Sequence, residues 1–148
     1  MAVSKLYQPA SPTLTCVSSG SSLANGAAVA ANGASNLTNS TLLAPYVSAR
    51  LYGGFGAAPT AGNVLSLYLA PILDGTNGAD VDVSTPYCPS SLWVGNFVVA
   101  KSQTGTQRMD IPFIPLVAYD YIAYILNQSG QTLSSGWTLT FSQTDYQY

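Results

Sequence analysis

The chain contains no histidine and no glutamate, and only 7% of its 148 residues are charged. Ordinary soluble domains carry about 25%. Without histidine no Ser-His-Asp triad, Cys-His pair or HExxH zinc site can be built, which removes most hydrolytic and metal schemes. The ionic groups are Lys5, Arg50, Lys101, Arg108 and six aspartates, giving a formal net charge of −2. Four scattered cations do not make the clustered basic stripe that nucleic acid requires. No apolar run reaches membrane-spanning length, the longest being cut by Pro, Asp or Asn, so no membrane partner is expected. Residues 1–12 (MAVSKLYQPASP) lack the apolar segment of a signal peptide. Cysteine is nearly as scarce. Cys16 and Cys88 stand in unrelated contexts and are expected to be two reduced, buried thiols rather than a disulfide.

What is present is apolar and neutral. Hydrophobic residues make up 47% of a length that suits one domain with a real core. Polarity comes from Ser, Thr, Asn, Gln and Gly, and there are ten tyrosines. A weakly charged surface repels its neighbours little, and amphipathic aromatics are enriched at interfaces. Both features suit a protein packed in an assembly.

The densest signal is residues 92–141, with four strand-like runs closed by turn chemistry. Trp137, Leu139 and Phe141 alternate with Thr138, Thr140 and Ser142, which puts apolar side chains on one face of a sheet and hydroxyls on the other. Gln107, Met109 and Ile111 alternate more weakly, and Pro112, lacking an N–H, is expected to end ladder pairing. Residues 121–126 (YIAYIL) are apolar at both parities, so this strand should be covered on both faces by a second sheet or by another molecule.

Upstream, residues 13–18, 36–43, 46–52 and 63–70 read as further strands, with Leu65, Leu67 and Leu69 inward. Residues 20–35 (GSSLANGAAVAANGAS) read as a low-complexity loop, a loose edge hairpin, or an arm that orders against a neighbouring subunit. Residues 53–62 read as a flexible connection and residues 71–91 as the longest loop. The count is about eight strands and no convincing helix. The expected fold is all-β: an antiparallel, eight-stranded, jelly-roll-like β-sandwich forming a single domain over residues 1–148, with residues 1–12 as an N-terminal arm.

Candidate chemistry is thin. Asp74, Asp80 and Asp82 form the one acidic cluster. It reads as a plain turn, or as a weak calcium candidate that lacks the usual ligand spacing, and no cofactor is expected. Three sequons, at Asn36, Asn39 and Asn127, read as chance matches in an Asn-, Ser- and Thr-rich chain. Arg108 and Asp110 share one strand face and read as a cross-strand charge pair. Trp137 reads as core, while Trp93 stays open between core and a sugar-binding platform.

The succession LSLYLAPILDGTNGAD, LWVGNFVVAKSQTGTQRMDIPFIPL and YIAYILNQSGQTLSSGWTLTF resembles small structural proteins of tailed bacteriophages. The matching positions are Leu73–Asn77, Gly95–Phe97, Thr106–Arg108, Ile111–Pro115 and Asn127–Gln131, spread over residues 63–141. The family's more polar, acidic ending is here TDYQY. The resemblance is to jelly-roll cement (decoration) proteins on HK97-type capsid shells. It implies a non-enzymatic virion protein on the capsid exterior, a homo-oligomer (dimer or trimer) that clamps adjacent major-capsid subunits. A different expectation is a carbohydrate- or receptor-binding jelly-roll module of a phage tail or cell surface. The interface candidates are Leu23, Val29, Trp93, Arg108, Tyr121, Tyr124, Tyr146 and Tyr148, with the loop at residues 74–82.

Overall fold

Alternating side-chain parity builds both layers of the molecule. A computed structural model describes residues 5–7, 13–31, 36–74, 81, 83–85 and 88–147. One antiparallel sheet holds β1 (Lys5–Tyr7), β2 (Thr13–Gly20), β5 (Tyr46–Gly53), β8 (Gln107–Pro115) and β10 (Trp137–Gln147). Within it β10 pairs with β5, β5 pairs with β8, and the other edge of β10 takes β2 and then β1. The second sheet holds β3 (Ala28–Ala30), β4 (Leu37–Thr38), β6 (Val64–Ile72), β7 (Trp93–Val98) and β9 (Asp120–Gln128). Here β9 pairs with β6 and β6 with β7, while β3 and β4 share the far edge of β9. The two antiparallel sheets form a sandwich.

The core between the sheets is built as the alternation requires. Trp137, Leu139 and Phe141 of β10, Val47, Ala49 and Leu51 of β5, Leu65, Leu67 and Leu69 of β6, and Met109 and Ile111 of β8 are all buried in it. Each fully buried side chain of this size contributes about 1.5–3 kcal/mol. Trp137 lies against the backbone of Gly20, where a side chain would overlap its ring, and its indole N–H donates to Ser21 O at 2.7 Å.

β9 and β6 are covered on both faces, and the cover is internal. Tyr121, Ala123 and Ile125 face the main core. On the other face Tyr68, Ala70 and Tyr124 are packed under Val81, Cys88 and Leu92 of the long connection between β6 and β7, together with Ala30. A second sheet hides one face of the doubly apolar strand, and the chain's own loop hides the other.

Residues 5–7, within the expected N-terminal arm, pair with β10 as a short strand. Of the alternatives for residues 20–35, the described part has edge pairing: Leu23 bridges Leu133 in both directions at 2.9 Å, and β3 pairs with β9 at the edge of the second sheet. Residues 32–35 of that stretch lie outside the described residues. Several expectations are corrected. Residues 36–43 are a two-residue strand and one helical turn, α1 (Asn39–Leu42), not a full strand. Pairing also continues past Pro112. A register shift opposite Ser48 accommodates Pro112 and Phe113 in a bulge on an edge strand, where the missing N–H costs little. The 53–62 connection is tied down, because Phe55 is buried, its N–H donates to Thr104 O and the N–H of Gly56 donates to Thr132 O.

Candidate functional site

The two ends of the sandwich differ in chemistry. β8 starts at one end and finishes at the other, a span of about 25 Å for its nine residues.

At the end where β8 finishes, α1 must stop early, because Pro45 disfavours helical backbone at Ala44. The chain turns at Leu43, whose φ of 50° and ψ of 30° are left-handed, and its N–H donates to Asn39 O at 2.9 Å. Glycine usually fills this position after a helix. Leu43 is the one non-glycine residue with positive φ among the described residues, a conformation costing about 1–2 kcal/mol. Asn39 holds the turn from beneath. Its buried carboxamide donates to Ala44 O (3.1 Å) and Val117 O (2.8 Å) and accepts from the Ala44 N–H (3.0 Å). Asp120 Oδ1 accepts from the Ser40 N–H at 2.9 Å and the Ser40 hydroxyl at 2.7 Å. The Tyr121 hydroxyl donates to Val117 O and accepts from the Val117 N–H. Burial pushes that phenol's pKa up, partly offset by the Val117 hydrogen bond, and the neighbouring Tyr119 adds to the rise.

This scaffold presents large apolar side chains to solvent: Leu43 is 65% exposed, Leu73 70%, Val117 59% and Tyr119 47%. Phe113, stacked on Tyr46 at 4.3 Å between ring centroids, extends the apolar surface along the edge of the first sheet. Asp74 and Asp120 are the ionic groups next to these side chains in the chain, and β10 and β1 carry Asp145 and Lys5 past the same end.

At the opposite end lies a cavity of about 390 Å³ lined by Tyr52, Lys101, Gln103, Thr106, Gln107 and Arg108. Its wall is the connection between β7 and β8, whose residues 100–106 are all exposed. Buried Gln107 organises that connection. Its amide donates to Lys101 O (2.7 Å) and Gln103 O (3.2 Å), and its oxygen accepts from the Lys101 N–H (3.1 Å). The Ala61 N–H to Ser102 Oγ bond (3.1 Å) anchors it from outside. The Arg108 guanidinium sits over the Tyr52 ring at 5.7 Å.

The sequence's interface candidates divide. Trp93 and Arg108 are exposed, the Trp93 indole N–H donating to Asn96 Oδ1 at 3.0 Å. Leu23, Tyr121 and Tyr124 are buried within their own chain, and Val29 packs against the main core, so intramolecular packing already occupies these four. Tyr146 lies in β10 opposite Leu6. Tyr148, Asp80 and Asp82 lie outside the described residues, and Asp74 is exposed. Among the described residues no three metal-binding side chains gather. Asp110 pairs with Arg50 rather than Arg108, through 2.7 Å and 3.2 Å hydrogen bonds across β5 and β8. Cys16 is buried in the main core and Cys88 is half-buried on the opposite face of the second sheet, both as free thiols. Burial of Asn39 and Asn127 leaves neither sequon open to a glycan in the folded chain.

Sequence reasoning missed Leu43 and the three amides that organise the loops, Asn39, Gln107 and Asn127. The signal for Leu43 was a helix-stopping Ala-Pro preceded by Leu where Gly is usual. Compared with family models, with curated proteins and with solved structures, the chain matches none of them.

Proposed function

We propose that the chain is a non-enzymatic structural protein of a virion, a small homo-oligomer bound to the outside of a tailed-phage capsid, where it clamps adjacent major-capsid subunits. The observation that carries this reading is the apolar end: Leu43 held in a costly conformation by Asn39, beside exposed Val117, Tyr119 and Leu73. Strain maintained by a buried hydrogen-bond network, with the strained side chain in solvent, favours a surface shaped for a partner. Strand order supports the family resemblance. With β1 set aside and β3 and β4 taken as one interrupted strand, one sheet runs first, eighth, third, sixth and the other second, seventh, fourth, fifth. That order is the one expected of two interleaved Greek keys, which supports the jelly-roll reading. Two of the described aspartates have partners within the chain, Asp110 with Arg50 and Asp120 with Ser40.

A protein that binds the assembled shell but not its separate parts stabilises the shell by mass action, and an oligomer multiplies weak contacts through effective concentration. The test is co-sedimentation with expanded capsids lacking any cement protein, followed by thermal melting of the shells. Saturation at a fixed copy number and a raised shell melting temperature are expected, with Leu43→Gly lowering occupancy. A folded oligomer that does not sediment with shells refutes the proposal. The second reading, a glycan- or receptor-binding module, has the exposed Trp93 beside Asn96 in its favour, and glycan binding abolished by Trp93→Ala would select it.

A further inference from the structure

The geometry points to a carboxylate-binding site in the cavity between Lys101 and Arg108, at the end of the sandwich away from Leu43. Two of the chain's four cations line this one cavity in a protein of net charge −2, and no acidic side chain lines it. The nearest acid along β8, Asp110, already has both oxygens on Arg50. Arg108 has no hydrogen-bond acceptor among the described residues, and its guanidinium carbon lies 5.7 Å from the centre of the Tyr52 ring, a contact that uses none of its N–H groups. A planar guanidinium fork matches the two oxygens of a carboxylate, and an ammonium supplies a second, compact charge. The Gln107 hydrogen bonds hold the Lys101 and Gln103 backbone in place before any ligand arrives, which lowers the entropic cost of binding. The cavity's 390 Å³ falls in the range of small-ligand sites, and the Tyr52 ring offers one apolar wall for the body that carries the acid.

The shared chemistry is a carboxylate on a compact body, whether from a sugar acid or from an acidic side chain of a protein. The assignment stands apart from the shell-binding proposal, because it concerns the opposite end of the molecule and its test uses no capsid.

The experiment is an NMR titration of the isotope-labelled full chain with glucuronate and with N-acetyl-aspartyl amide. Glucose, N-acetyl-asparaginyl amide and inorganic phosphate serve as comparisons. Saturable shifts of the backbone amides of residues 101–108 with the acids, but not with their neutral counterparts, are expected. Arg108→Gln should weaken binding by at least about tenfold, the loss of one charge-assisted contact. Arg108→Lys should fall between, since it keeps the charge and loses the fork. Thermal melts of both variants check that the fold is intact. The tighter of the two acids identifies the source. Equal shifts with the neutral compounds, tighter binding of phosphate than of either acid, or unchanged affinity in Arg108→Gln each overturn the assignment.

Discussion

Replacing Asn127 with alanine should destabilise the protein by about 3 kcal/mol, although the residue touches no exposed surface. Asn127 sits at the end of β9, and its carboxamide joins two connections. The amide donates to Leu23 O and Gln131 O, both at 2.8 Å, and the oxygen accepts from the Ser129 N–H at 3.0 Å. The three losses are not equal. Leu23 O keeps the Leu133 N–H and Gln131 O keeps the Ser129 hydroxyl, so each carbonyl loses a second bond worth about 0.5–1.5 kcal/mol. The Ser129 N–H keeps nothing, and an orphaned buried donor costs about 1–3 kcal/mol. The total is a large share of the 5–15 kcal/mol typical of a domain. Asn25→Ala is the control, because its bond to the Gly130 N–H (2.8 Å) ties the same two connections in an exposed position and should be worth about 0.5 kcal/mol. Urea unfolding of both variants, with unchanged m-values, measures the difference. An Asn127→Ala loss within 1 kcal/mol of the Asn25→Ala loss, on the scale of those bond energies, would refute the reasoning that burial decides the cost.

Three further outcomes follow from the packing. Gly20→Ala should cost about 3 kcal/mol in urea unfolding because its new methyl falls inside the Trp137 ring, whereas Gly26→Ala, with φ of 79° and open space, should cost only about 1 kcal/mol. Leu43→Gly should raise the stability of the free protein by up to about 1 kcal/mol while weakening its attachment to a partner, a split that a melt and a binding assay read separately. Burial pushes the Cys16 thiol from 9.0 up to about 12. Its folded-state pKa is therefore the higher one. The resulting stability is complete below pH 9 and is lost as the pH rises from 9 towards 12, and Cys16 should resist thiol reagents at pH 8 until the chain unfolds.

Much of the fold was legible because strand parity is a local property. The alternation through Trp137, Leu139 and Phe141, the inward leucines of β6 and the apolar run at 121–126 follow from the period of two and from the low solubility of those side chains. The absence of histidine also restricts the available chemistry without any coordinates. What covers each face is a long-range matter. The run at 121–126 demanded two covers, but only packing decided that the second would be Val81, Cys88 and Leu92 of the same chain rather than another molecule. Register likewise set Asp110 opposite Arg50 instead of leaving it to Arg108, and let β8 carry Pro112 through a bulge. The three loop-organising amides reach partners through the tertiary fold, as Asn39 does to Val117 and Asn127 to Leu23, so their roles were invisible in a local reading. Sequence periodicity thus determined which residues face inward. The tertiary structure alone decided which segments meet, because burial and hydrogen bonding between distant segments depend on where the whole chain goes.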